Sequence, residues 1–212
     1  ASGCTVVLKP APDTPWCATT LGRLILEKTD IPPGVVNVVA GSDHMLGEML
    51  ATDPRVDAVT FTGSTATGRR VMSCASATVK KVFLELGGKS ATIMLDDADL
   101  EKSLAGINMV CTHAGQGCAI TTRLLLPRSR YEEGVELTKR SFESLGYGDP
   151  NNPVHLQGPL VSAKQRDRVL GHIAKAKAEG ARLVTGGSRP GHLPKGYYVE
   201  PTIFADVDPG SM

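Results

Sequence analysis

A carboxylate and a thiol are set apart by their surroundings. Phe83-Leu84-Glu85-Leu86-Gly87-Gly88-Lys89-Ser90 is an apolar run that ends on an acid and breaks at once into two glycines. Such a run reads as a buried strand, and ligands of open α/β sheets sit at strand ends. The glycine pair frees the backbone and allows close approach. Further along, Gly115-Gln116-Gly117-Cys118 presents a thiol flanked by small residues. Cys118 and Glu85 make a candidate nucleophile and base. A free thiol has a pKa of about 8.5 and needs help to ionise at neutral pH, which a carboxylate acting through a water can give. Burial would raise Glu85 toward the range a base needs. The expectation is that the two groups face one cavity. A lone strand-end Glu is more often a salt-bridge partner; the strand position and the glycines behind it favour the base.

Cys111 competes for the nucleophilic role, but it follows apolar Ile107, Met109 and Val110, the setting of a packed thiol. His113 is near in sequence, yet a Cys–His hydrolase also needs an orienting third group, and a surface histidine accounts for it. Cys111, His113 and Cys118 lack a second pair at ligand spacing, so no structural metal is expected. Gly63-Ser64-Thr65-Ala66-Thr67-Gly68 lies between a strand and a helix, where N–H groups and the helix dipole favour a phosphate. Arg69 and Arg70 stand where a Walker A loop needs Lys and Ser or Thr, and the standard G-x-G-x-x-G is absent. Taken alone, the segment serves equally as an ordinary strand-to-helix turn. Lys9 closes the first strand at the same edge, where a cation suits ribose hydroxyls or phosphate, or merely solvent.

The elements that must position these groups alternate. Thr5 to Lys9 reads as a strand, and Thr14-Pro15 as the cap of a helix through Leu21 and Leu26 that stops before Pro32-Pro33-Gly34. Val35 to Val39 is a second strand closing on Ala40-Gly41, and Ser42 or Asp43 caps a helix through Leu50. Ala58 to Phe61, a helix with Val71 and Met72, and Val82 to Glu85 complete a strand–helix rhythm. That rhythm requires parallel pairing through right-handed crossovers, half of a doubly wound sheet. A second unit follows Gly88: a strand from Ala91 to Leu95, a helix from Asp97 or Asp99 to about Thr112, a strand from Arg123 and a helix from about Ser129 to Ser144. Ser162 and Gln165 form a capping box for a helix that carries Val169, Leu170 and Ile173 and stops at Gly180. Strands at Arg182–Thr185 and Thr202–Val207 finish the chain. The predicted class is α/β: a Rossmann-like parallel sheet over residues 1–87, then part of a second α/β domain over 88–212 that carries Cys118.

Composition narrows the partners. The 212 residues carry a formal net charge of +1, 41% hydrophobic and 21% charged residues. Basic and acidic residues are interspersed, so neither nucleic acid nor an anionic membrane surface is an expected partner. No run reaches the length of a membrane span. Five scattered cysteines read as free thiols of a reducing, cytoplasmic compartment. A start on Ala1 almost directly in a strand and an end just past Pro209-Gly210 suggest an excerpt of a longer protein.

Together these residues resemble the aldehyde dehydrogenase superfamily. Leu84-Glu85-Leu86-Gly87-Gly88-Lys89-Ser90 resembles its glutamate signature, Gly115-Gln116-Gly117-Cys118 its cysteine signature, and Phe61-Thr62-Gly63-Ser64 with Gly68 its cofactor turn. Val7-Leu8-Lys9-Pro10, Pro32 to Asn37, Gln157-Gly158-Pro159 and Glu200-Pro201-Thr202 extend the likeness over nearly the whole chain. The resemblance implies oxidation of a small-molecule aldehyde to the acid with NAD or NADP. Cys118 would form a thiohemiacetal and then a thioester, its N–H would supply part of an oxyanion hole, and Glu85 would activate the hydrolysing water. The implied cofactor-binding set is Lys9 (adenosine ribose), Gly41, Thr62, Gly63, Ser64 (phosphate), Gly68 and Leu86 (beside the nicotinamide). Pro12 stands where many NAD-preferring members carry a ribose-binding Glu, which makes NADP tolerable without demanding it. Members are roughly twice as long and form homodimers or homotetramers, so these residues alone are expected to be a poor or inactive enzyme. Competing readings are a cofactor-independent thioesterase or esterase using Cys118, a CoA-acylating relative, and a binding module that has lost catalysis. Intact Glu85 and Cys118 oppose the last, and Glu85 as a deacylating base favours hydrolysis.

Overall fold

The computed structural model describes residues 3–211. The chain divides into two compact units, Ala1–Gly87 and Gly88–Met212. In the first unit, β1 (Val6–Leu8) pairs in parallel with β2 (Val36–Val38), and β3 (Ala58–Gly63) with β4 (Lys81–Leu86). These are two separate two-stranded ladders rather than one continuous four-stranded ladder. The crossovers are α1 (Trp16–Lys28) and α3 (Thr65–Ala75), with α2 (Met45–Thr52) between β2 and β3. The predicted caps fare differently. Asp43 Oδ1 accepts from Met45 N at 2.8 Å just ahead of α2, but the N-cap position itself is His44, which makes no side-chain cap, and α1 likewise opens on Pro15 with no side-chain cap. Thr14 instead spends its N–H on the Ala11 carbonyl, 3.1 Å away.

The layer under β3–β4 explains the glycine at position 68. Val59 and Phe61 of β3 and Val82, Leu84 and Leu86 of β4 are half-buried, while the alternate residues are exposed. Gly68 is buried on α3, and a Cβ there would lie 2.9 Å from Leu86 Cδ2 and 3.4 Å from Leu84 Cδ1. The missing side chain is what lets α3 approach the strand. Gly68→Val inserts three carbons and a β-branch into that contact. It is expected to cost about 1–3 kcal/mol, the usual penalty of overpacking, read as a lower denaturation midpoint of the full-length protein. An unchanged midpoint would show that α3 lifts off β4 without cost.

In the second unit, β5 (Ala91–Ile93) pairs in parallel with β6 (Arg123–Leu125). The pair β7 (Arg182–Thr185) and β8 (Ile203–Ala205) is antiparallel. The helix expected from Asp97 or Asp99 to Thr112 is not continuous. Asp99 caps a short α4 (Leu100–Leu104), accepting from Lys102 N at 3.2 Å, and Gly106 then leaves the helical region. Glycine costs about 1 kcal/mol in a helix interior, and here it marks the break before Ile107–Gly115, a segment of 3₁₀ type that kinks at Thr112, where the backbone becomes extended. The next helix also starts later than expected: α5 runs Tyr131–Glu143 behind a 3₁₀ turn at Arg128–Arg130. Ser162 caps α6 (Ala163–Ala178) by accepting from Gln165 N at 3.3 Å. Gly180 follows the end of α6 in the left-handed region at φ 88°.

Two apolar clusters hold this unit together. Cys111, Phe142 and Leu145 gather with Ile107, Val110 and Ile203. Leu160, Ile173 and Val199 gather with Ala114, Val169, Leu170 and Phe204. The second cluster joins the predicted inner face of α6 to the stretch that leads into Gly115-Gln116-Gly117-Cys118.

Candidate active site

Each candidate residue is placed within its own unit. Glu85 is the penultimate residue of β4 and lies opposite Thr62 of β3 in the parallel register. Both are exposed, on the face of the ladder turned away from α3. The expectation of a buried carboxylate is therefore corrected. Val82, Phe83, Leu84 and Leu86 are apolar on both sides of the strand, the pattern of a strand covered on two faces. Among the described residues, however, only the α3 side is covered, and Phe83 is 62% exposed. Glu85 forms no salt bridge among the described residues, so the ion-pair account of this side chain is not supported.

The turn after β3 has the features of an anion site. Ser64 closes the strand and caps α3: its Oγ accepts from Thr67 N at 3.2 Å and lies 2.9 Å from Thr67 Oγ1. Such a cap contributes about 1 kcal/mol. The first turn of α3 carries no acidic residue, so no carboxylate of its own offsets the positive end of its dipole. Gly63 ends β3 opposite Leu86, and Leu86 turns its side chain toward Gly68. At the end of β1, Lys9 is half-buried; its Nζ donates to the Pro10 carbonyl at 2.7 Å. Its stem passes Gly47 of α2, where a Cβ would lie 3.7 Å from Lys9 Cε. Gly41, just past β2, sits under Leu46, whose Cδ1 would be 2.5 Å from a Cβ at that position. Arg70 of α3 meets Glu48 of α2 at 2.6 Å, tying the two helices together behind these turns.

Cys118 lies in a turn after the 3₁₀ stretch and is exposed. Its N–H has no hydrogen-bond partner among the described residues. The backbone leading to it is unusual. His113, Ala114 and Gly115 take φ values of 54°, 54° and 73°, three left-handed residues in succession. A non-glycine residue pays roughly 1–2 kcal/mol for that conformation. Gln116 N donates to the His113 carbonyl at 3.1 Å and closes the turn. The Gln116 amide does more: Nε2 donates to the same carbonyl at 2.8 Å, and Oε1 accepts from Val161 N at 3.2 Å. In the sequence Gln116 belongs to the motif without an evident task. The available signal was an amide side chain between two glycines, the one group there that can bridge. A cleft of about 730 Å³ between Leu126–Glu133 and Asp206–Val207 lies elsewhere in this unit and does not include Cys118.

The other thiols fall as chemistry suggests. All five cysteines are free. Cys111 is buried in its cluster, and burial pushes its thiol up to about 11. A thiol raised in this way favours the folded state below its ordinary value, and that contribution is lost as pH climbs through about 11. Alkylation by iodoacetamide at about pH 8 is expected to label Cys4, Cys17 and Cys118, which are exposed, and to spare Cys111. Peptide mass mapping checks this; labelling of Cys111 at the rate of Cys118 would contradict its burial. No group of three or more His, Cys, Asp or Glu side chains able to hold a metal is present among the described residues. No described helix is long and apolar enough to cross a membrane.

Parallel strand pairs with covering helices, and a capped glycine turn at the end of β3, define a Rossmann-like α/β scaffold. Comparison with known proteins makes the assignment specific. The sequence pattern of the aldehyde dehydrogenase family matches residues 1–212. A 3-succinoylsemialdehyde-pyridine dehydrogenase of a Pseudomonas species is 44% identical over 210 residues, which cover 98% of this chain and 44% of that protein. Among solved structures, the Mycobacterium tuberculosis aldehyde dehydrogenase complexed with NAD+ superposes with a TM-score of 0.93 at 47% identity, over 98% of this chain and 43% of that one. An NADP-dependent enzyme of E. coli superposes with a TM-score of 0.91 at 38% identity, over 99% of this chain and 43% of that one. The chain belongs to the aldehyde dehydrogenase family. It spans less than half the length of the curated relatives it matches.

Proposed function

We propose that the protein carrying this chain oxidises an aldehyde to the carboxylic acid with NAD or NADP, with Cys118 as nucleophile and Glu85 as the base that activates the hydrolysing water. Residues 1–87 belong to the cofactor-binding domain and residues 88–212 carry the nucleophile. The observation that carries the reading is the placement of Cys118: an exposed thiol whose N–H has no partner among the described residues, at the end of a tethered left-handed turn.

The residues present fit a dinucleotide. The positive N-terminus of α3 and the hydroxyls of Ser64 and Thr67 suit its phosphates. Lys9 Nζ, at the end of β1, suits a ribose hydroxyl or phosphate, and Gly41, Thr62, Gly63, Gly68 and Leu86 shape the strand ends and the close helix approach. Half-buried Pro12 leaves no carboxylate at its position to repel a 2′-phosphate, so either dinucleotide is accommodated.

Cys118, as the thiolate, adds to the aldehyde carbon, and its own N–H meets the developing oxyanion, the kind of contact that dominates catalysis of acyl chemistry. A bound dinucleotide would supply the acceptor for the hydride lost from the former aldehyde carbon, which leaves a thioester on Cys118. Glu85 draws a proton from water as that water attacks the thioester, releasing the acid and returning the thiol. The functional form is a homodimer or homotetramer in the cytoplasm. The test is mass spectrometry of the full-length protein quenched after mixing with aldehyde and cofactor. An acyl adduct on the Cys118 peptide, absent in Cys118→Ser, is the expected result; an adduct on another cysteine would overturn the assignment.

A further inference from the structure

We propose that Gln116 is a positioning residue for Cys118, holding the thiol's loop against the start of α6. This deepens the preceding reading, since it rests on Cys118 being the nucleophile. Two independent contacts tie the segment to the α6 platform. Ala114, itself left-handed, packs against the cluster of Leu160, Ile173 and Val199. Two residues on, the Gln116 Oε1 takes the N–H of Val161, the residue before the Ser162 cap of α6. The same amide donates to the His113 carbonyl at 2.8 Å, so one side chain both closes the left-handed turn and moors it to Val161, 45 residues away in sequence and just ahead of α6. The partners also fix which end of the amide is which, because a carbonyl requires the nitrogen and an N–H requires the oxygen.

The consequence is kinetic. Cys118 lies two residues beyond Gln116 and has no hydrogen-bond tether of its own among the described residues. Gly117 between them leaves the backbone free. The height and direction of the thiol are therefore inherited from the Gln116 bridge. Loss of the bridge leaves Cys118 exposed, but its sulfur then samples positions that miss the carbonyl carbon. Displacement of a reacting group by about 1 Å costs on the order of 100-fold.

The experiment uses the full-length protein and three readouts: single-turnover acylation of Cys118, alkylation of Cys118 relative to Cys4 and Cys17, and the thermal midpoint. Gln116→Ala is expected to slow acylation by about 10–100-fold and to change the alkylation rate of Cys118 while Cys4, Cys17 and the midpoint stay as in wild type. Gln116→Glu keeps an acceptor for Val161 N–H but offers no donor to His113, and is expected to fall between. Should Gln116→Ala fail to fold, Gln116→Met, of similar length but with neither amide atom, takes its place. Wild-type acylation in these variants would overturn the proposal. So would a loss that follows a fallen midpoint with all three thiols equally affected, since the amide would then serve stability alone. A wild-type protein that forms no adduct on Cys118 would instead defeat the functional reading, and the alkylation ratio would still report whether Gln116 sets the loop.

Discussion

Replacement of Cys118 by serine is expected to lower aldehyde-dependent reduction of the dinucleotide by about 10⁴-fold or more, the scale on which removal of a covalent nucleophile acts. The change is one atom and leaves the left-handed turn and the Gln116 bridge in place, so the folded state should be unaffected. A hydroxyl titrates far above a thiol and is a much poorer nucleophile at neutral pH. Stopped-flow absorbance with the full-length protein measures the effect. The parallel variant Cys111→Ser separates nucleophile from core thiol: it places a hydroxyl in the cluster of Phe142 and Leu145, and should lower stability rather than chemistry. If Cys118→Ser turned over like wild type while Cys111→Ser did not, the two thiols would exchange roles.

The second large effect belongs to Glu85→Gln. The amide keeps the size of the side chain but cannot accept a proton from water. Hydrolysis of the thioester is expected to slow by about 10²–10⁴-fold, the usual contribution of a general base. Acylation should survive, so the signature is a rapid burst of reduced dinucleotide followed by a near-flat steady state, with acyl-Cys118 accumulating. A variant that loses the burst as well would assign Glu85 to ionising the thiol rather than activating water. Glu85 stands on an exposed strand face without a salt-bridge partner among the described residues, so the substitution has no ion pair to break, and lost activity cannot be ascribed to unfolding.

Much of the scaffold was legible because it depends on local signals. Prolines, glycines and short polar residues punctuate the chain at Thr29–Gly34, Gly41–Asp43, Gly63–Ser64 and Gly180, and the elements begin and end at these places. The side-chain caps at Ser64, Asp99 and Ser162 follow the same local chemistry. What the sequence hid is non-local or of unusual hand. The apolar run of β4 implies cover on both faces, and nothing in its residues tells which side α3 will take, so the exposure of Glu85 was not foreseen. Gly106 reads as a tolerated helix interior residue until it is seen to end α4. The left-handed run was invisible because His113 and Ala114 carry no signal for it; glycine or asparagine would have announced such a turn. Only the pairing of Gln116 with Val161 and the packing of Ala114 show what holds that run in place.

The reversed hand of the backbone before Cys118 also limits how this protein can drift. At His113 and Ala114 a branched or bulky replacement would carry an added conformational penalty, whatever its polarity, because the mirror-image twist crowds any Cβ against the neighbouring carbonyl. The local substitution vocabulary is therefore short: glycine, asparagine, aspartate and the residues already there. Variation in this loop has to come from surrounding segments, while these two positions stay constrained by backbone geometry rather than by side-chain chemistry.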